Sequence, residues 1–222
     1  DELAQAAQEP EPDLQALRLP VDETVEMDGV LAEEAWSRAV AIDDFRQEEP
    51  VEGAAPTERT AVRVLFDDDA LYIGAMVYDR PDSILAYQKR RDAGLGTDDR
   101  FMWILDTFRD GRTGYFFEIN AAGLMGDGLL GSGGFFGVNK SWDGIWEART
   151  AIVDDGWSAE IRIPFATLNF NPASDTWGIN FQRTIRRRNE EIRWRGWRRD
   201  QSLTSPVFAG RLVGLEGLSQ GL

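Results

Sequence analysis

Apolar and polar positions alternate, or apolar residues run together between turn residues, at short intervals through most of the chain. This pattern predicts strands. Ala61 to Phe66 (AVRVLF) and Leu71 to Tyr78 (LYIGAMVY) flank the acidic turn Asp67-Asp68-Asp69 and read as a β-hairpin. A second hairpin joins Phe101 to Thr107 with Tyr115 to Asn120, and a third joins Ile145 to Val153 with Trp157 to Ile163 through Asp154-Asp155-Gly156. The Asp-Gly pair there supplies the positive backbone angle of a tight turn. A fourth joins Trp177 to Arg186 with Ile192 to Trp197. Leu14 to Pro20 predicts a first strand, and Leu31 to Trp36 (LAEEAW) about one helical turn.

Hairpins at this spacing with few short helices predict an all-β fold, a two-sheet antiparallel β-sandwich of immunoglobulin-like or jelly-roll-like type. Residues 1–13, rich in Ala, Gln, Glu and Pro, read as an exposed arm; residues 14–218 form one domain, and 219–222 a tail. Gly126 to Gly137 reads as a glycine-rich loop carrying Phe135 and Phe136, a mobile surface loop or a ligand flap. It is no phosphate loop, since Val138-Asn139-Lys140 lacks the Gly-Lys-Ser/Thr element.

Composition narrows the chemistry. The 222 residues are 42% hydrophobic and carry a net charge of −15, which disfavours nucleic acid and anionic lipid. The absence of Cys and His removes disulfides, thiolate sites, the usual haem ligand and the commonest general base. No haem and no nucleotide is therefore expected. The opening Asp1-Glu2-Leu3 reads as a mature terminus after signal cleavage or trimming, with export to the periplasm, outer-membrane surface or extracellular space. Charge is uneven: the first sixty residues hold four basic residues, while Arg183, Arg186, Arg187, Arg188, Arg193, Arg195, Arg198 and Arg199 crowd one late segment. That polarity suits either head-to-tail contacts between copies or an internal ionic seam.

Strand parity separates faces. Trp177, Ile179, Phe181 and Ile185 point one way, and Asn180, Gln182, Thr184 and Arg186 the other; Glu118 and Asn120, and Glu160 and Arg162, lie on corresponding polar faces. If these strands adjoin, one surface of amides, carboxylates and guanidinium groups results, suited to vicinal hydroxyls. Trp197, Trp194 and Trp142, interleaved with charge, are candidate sugar-stacking rings, whereas Trp36, Trp103, Trp157 and Trp177 read as core. The competing reading is a solvated sheet face crossed by Glu–Arg pairs. Asp67, Asp68, Asp69, Asp98, Asp99, Asp106 and Asp110 are candidate ligands for calcium, which needs only oxygen donors. Glu118, Glu147 and Glu160 are strand carboxylates, but each sits beside Arg in the pattern, which suits a general acid poorly; no enzyme activity is expected.

The order Asp28-Gly29-Val30-Leu31 with Trp36, Ala70 to Gly74, Asp98 to Phe101, Gly156 to Phe165 and Trp177 to Phe181 resembles the family 9 carbohydrate-binding modules and related DOMON-like sandwiches. Within that group the chain resembles the N-terminal domain of an uncharacterised family of bacterial outer-membrane β-barrel proteins. The resemblance implies a two-sheet sandwich, sugar chain ends held between two Trp rings, and structural calcium. Where one ring belongs, before the strand at Phe101, this chain has Lys89 to Gly96 and no Trp; Trp194 or Trp197 stands where the other belongs. The expected function is a non-catalytic glycan or polysaccharide binder. The alternatives are a self-assembling or barrel-associated subunit that adds its N-terminal arm to a neighbouring sheet, and a glycoside hydrolase-associated domain.

Overall fold

A computed structural model of the chain describes residues 13–131 and 137–219. The arm at 1–12, the end of the glycine-rich segment with Phe135 and Phe136, and residues 220–222 lie outside the described residues. The strands are β1 (Asp13–Arg18), β2 (Arg46–Glu49), β3 (Thr60–Phe66), β4 (Ala70–Tyr78), β5 (Arg100–Asp106), β6 (Gly114–Asn120), β7 (Met125–Leu130), β8 (Val138–Asn139), β9 (Glu147–Val153), β10 (Gly156–Pro164), β11 (Thr176–Ile185), β12 (Glu190–Arg193) and β13 (Gly210–Val213). One short helix, α1 (Glu34–Arg38), follows β1 three residues later than the sequence pattern places it.

Two sheets result. The first runs β8-β7-β6-β5-β11, after which β13 pairs with the first half of β11 and β12 with the second; β2 extends β12. The second runs β3-β4-β10-β9. β1 joins them: Asp13 to Gln15 pair parallel with β13, and Ala16 to Arg18 pair parallel with β3. The four expected hairpins are all present as antiparallel pairs.

Period-two alternation aims one face of each sheet at a common core. Val62, Val64, Ile73, Trp157 and Ile161 from the second sheet pack with Phe101, Trp103, Phe117, Trp177 and Phe181 from the first. Trp103 stacks on Phe117 at 5.3 Å and meets Trp146 edge-on at 5.6 Å. Arg183 shares this inward parity on β11 and is almost fully buried. It donates from Nη1 to Arg59 O (3.0 Å) and from Nη2 to Tyr78 O (2.9 Å) and Asp79 Oδ2 (3.0 Å), tying the two sheets at one end. Burial pulls this guanidinium down to about 10 against the pull of Asp79.

The late arginines form an internal seam rather than a free patch. Asp44 pairs with Arg195 (2.8 Å), Glu48 with Arg193, Glu49 with Arg199 (2.8 Å), and Glu58 with Arg187 (3.0 Å) and Arg188 (3.1 Å).

The glycine-rich segment begins not as a loop but as β7. Glycine suits that strand because neighbours occupy the space of its side chains: a Cβ at Gly126 would lie 3.0 Å from Glu118 Cγ, and one at Gly128 would lie 2.6 Å from Val138 Cγ1.

Candidate functional site

The outer face of the first sheet is concave and open. Registered pairing across β6, β5, β11 and β12 sets outward side chains in rows: Asn120, Arg100, Thr184, Glu191; then Glu118, Met102, Gln182, Arg193; then Phe116, Ile104, Asn180. Glu48 and Glu49 of β2, Val138 and Lys140, and the loop residues Ser202, Leu203 and Thr204 wall parts of these rows into a groove of about 800 Å³.

Its polar groups are bound into a frame. Arg193, nearly fully buried, donates from Nε to Gln182 Oε1 (2.8 Å), from Nη1 to Gly196 O and Gln201 O (3.1 Å), and from Nη2 to Glu48. Burial pulls its guanidinium below the usual arginine range, and burial pushes the Glu48 carboxyl up despite Arg193 beside it. Gln182 Nε2 and Thr184 Oγ1 both donate to Glu191 Oε2, at 2.9 and 2.7 Å. Glu118, also nearly fully buried, accepts from Lys140, whose ammonium lies 5.7 Å from the Phe116 ring centroid.

Arg100 is the exception. Its Nε donates to Thr184 Oγ1 (3.0 Å), but Nη1 stands 3.8 Å from Glu118 and Nη2 stands 3.8 Å from Glu191. Those separations give Coulomb attraction without a hydrogen bond. Among the described residues, its terminal nitrogens therefore face the groove with donors to spare.

The predicted site residues divide. Glu118 and Gln182 line the groove. Asn180 and Asn120 share its sheet face, but their amides are engaged: Asn180 with Arg195 N and O, and Asn120 with Gln88 O, Asp98 Oδ2, Ala122 N and Leu124 N. Arg186 lies in the turn after β11, its N–H donating to Asp99 Oδ1 at 2.6 Å.

Glu160 and Arg162 do not join them. β10 pairs with β4 and β9, so these two side chains belong to the outer face of the other sheet. Residues 19–39 seal that face: Leu19, Ala35 and Trp36 pack on Leu65, Ala70 and Tyr72. Glu160, fully buried, accepts from Asp28 N and Gly29 N at 2.9 Å each and from Trp36 Nε1 at 3.0 Å; burial pushes its carboxyl up. Arg162 Nε donates to Tyr72 OH at 3.3 Å.

Of the three candidate stacking tryptophans, Trp194 is corrected by its burial, and Trp197 and Trp142 lie away from the groove. Trp194 is a core residue, fully buried against Phe181 at 6.0 Å, with its indole N–H on Asp44 Oδ1 (2.8 Å) and Arg195 lying 4.5 Å over its ring. Trp197 packs on Gly53, where a Cβ would lie 3.1 Å from its Cζ3. Trp142, half-buried, packs on Tyr115 at 5.1 Å and Phe117 at 6.2 Å. None of the three lines the groove.

Five of the seven candidate calcium ligands accept from backbone N–H groups of turns and loops. Asp67 caps Asp69 N, Ala70 N and Tyr72 OH; Asp68 pairs with Arg18; Asp69 is exposed. Asp98 accepts from Tyr87 N and Gln88 N, Asp99 from Leu85 N, Asp106 from Gly111 N, and Asp110 from Arg112 N and Thr113 N. Among the described residues, no three of them converge as a metal would require; the one trio that does is Asp92, Asp127 and Asp143, within 4.8 Å of one another. Arg91 already lies on that trio, 2.5 Å from Asp127 and 3.5 Å from Asp143, so the seven do not fit calcium and the trio fits it only with Arg91 displaced.

Arg100, Met102 and Arg193 escaped the sequence reading although parity marks them. Arg100 falls one residue before the predicted start of its strand, and Arg193 alternates with buried Ile192 and Trp194. Lys140 and Leu203 come from loops, where alternation carries no signal. Tyr87 was missed too: it is 67% exposed, in the segment that Asn120 and Asp98 hold against the Arg100 end of the rows.

The architecture is a two-sheet β-sandwich with one outer face sealed by residues 19–39 and the other grooved. No protein-family model matches the sequence, and no curated relative does. Among solved structures, the fold is shared with a family 9 carbohydrate-binding module from Caldicellulosiruptor kristjanssonii in complex with cellotriose, at 18% identity and a TM-score of 0.63 over 94% of this chain and 95% of that one. A glucose complex of such a module from that organism matches at 18% identity and a TM-score of 0.62, over 95% and 99% of the two chains. A candidate carbohydrate-binding protein from Bacteroides uniformis matches at 13% identity and a TM-score of 0.70, over 91% and 99%.

Proposed function

We propose that the chain is a non-catalytic carbohydrate-binding module, exported from the cytoplasm, that takes saccharide hydroxyls in the groove of the first sheet. The observation that carries this reading is Arg100. A planar guanidinium, fixed through Nε and holding its flanking carboxylates beyond hydrogen-bond length, offers paired donors at the spacing of vicinal hydroxyls. Glu118 and Glu191 beside it supply acceptors for the hydroxyl protons. The sugars held by the similarly folded modules support the same class of ligand.

The self-assembly reading loses one of its two motives, because the uneven charge is consumed by pairs within the chain. A glycan array probed with the intact chain, followed by calorimetric titration of the best hit, tests the proposal. Arg100→Met should weaken that hit at least about tenfold, the worth of one charge-assisted bond, with the thermal midpoint little changed. A folded chain that binds no saccharide on the array overturns the reading.

A further inference from the structure

The groove is graded along its strands. Successive outward rows lie roughly 7 Å apart and step from Arg100, Thr184 and Glu191, through Met102 and Gln182, to Phe116. At the far end Met102, Phe116 and Leu203 form a small apolar cluster, with Val138 packed against it, and all four also face the groove. Among the described residues, neither Trp nor Tyr lines it. Phe116 is only 6% exposed. Met102 and Leu203 are as buried as Phe116, so what this end offers a ligand is half-buried Val138 and the edges of the cluster, an apolar surface suited to a hydrocarbon chain and without an open ring face for a sugar to stack on.

We infer that the groove holds a saccharide bearing an alkyl or acyl substituent, its hydroxyls on the Arg100 row and its hydrocarbon against Met102, Phe116, Val138 and Leu203. This rests on the saccharide reading and names the ligand more closely. Charge favours an uncharged head group: the cations Arg100, Lys140 and Arg193 each have a carboxylate partner in the groove, and the chain as a whole carries −15.

The test is calorimetric titration of the whole chain with methyl, hexyl and octyl β-glucoside, each below its micelle concentration. A buried methylene contributes roughly fourfold in affinity, so even partial burial should make the octyl compound bind at least about tenfold tighter than the methyl one. Val138→Thr keeps the side-chain shape but places a hydroxyl on the apolar wall. The ratio of octyl to methyl glucoside affinity should fall about threefold or more in this variant. Arg100→Met should weaken all three alike. Equal binding of methyl and octyl glucosides overturns the inference and leaves the saccharide reading standing. Octylphosphocholine binding as tightly as octyl glucoside overturns both the inference and the saccharide reading of this groove, since it would show a greasy slot indifferent to the sugar. If no glucoside binds and the glycan array is also blank, the underlying reading falls and this one with it.

Discussion

The two outer faces of the sandwich start from the same alternation and each buries a glutamate, yet they end in opposite states. Glu160 is enclosed by residues 19–39, and its oxygens take neutral N–H donors from Asp28, Gly29 and Trp36. Glu118 accepts from Lys140 and is flanked by Arg100 and Gly126, with the groove beside it. A covering segment can supply backbone donors and exclude water, so the sealed glutamate needs no cation. A face left open keeps its charges compensated by side chains that a ligand can reach. The contrast singles out the face that the described residues leave uncovered as the one a ligand can reach.

The largest effect should come from opening the sealed face. The Trp36 indole lies on Gly74, where a Cβ would sit 2.7 Å from its Cε3, so the two residues are fitted to each other. Trp36→Ala removes a fully buried ring and strands Glu160; denaturant unfolding should show a loss of about 3–5 kcal/mol. Saccharide affinity of the remaining folded protein should be unchanged. A matching loss of affinity would mean that the faces are coupled and the contrast is false.

Glu160→Gln is next, at about 1–3 kcal/mol, and its pH dependence sharpens the point. Burial raises the folded carboxyl above its unfolded value, so the group's stabilising contribution is complete below about pH 4.3 and is lost as pH rises through the folded value. The stability gap between wild type and Glu160→Gln should therefore be widest in acid and narrow towards neutrality. A gap that widens with pH would show that the three donors outweigh burial.

Local order was readable from the sequence, and adjacency was not. Period two gave the hairpins, the inward set at Trp177, Ile179 and Phe181, and the core roles of Trp103, Trp157 and Trp177, while the apolar helical turn gave that of Trp36. It could not say that β10 lies in the other sheet from β11, which is why Glu160 was grouped with Glu118. Trp194 looked superficial because arginines flank it, yet it follows directly on β12 and its indole turns inward with Ile192, beneath the Arg195 guanidinium. β7 was hidden by Gly126 and Gly128, which are glycine because Glu118 and Val138 fill their side-chain space. The turn aspartates resembled metal ligands since both tasks need carboxylate oxygens; only the bonded backbone N–H groups tell them apart.

On the open face, the smallest effect expected belongs to Tyr87. Its segment is fastened by Asn120 Nδ2 on Gln88 O (2.8 Å) and by Asp98 on Tyr87 N (2.8 Å), so an exposed ring is held at the Arg100 end of the rows by a rigid mount. Among the described residues no covering element competes for that ring, unlike Trp36 on the other face. Tyr87→Ala should leave unfolding unchanged and weaken the best glycan by about two- to tenfold, the range of a single aromatic contact. Trp197→Ala serves as its control: the indole is committed to Gly53, so affinity should stay within error while stability falls. The reverse result, with Trp197 governing affinity and Tyr87 silent, would move the binding surface off the rows and onto the β2 flank, and the open groove would lose its claim to the ligand.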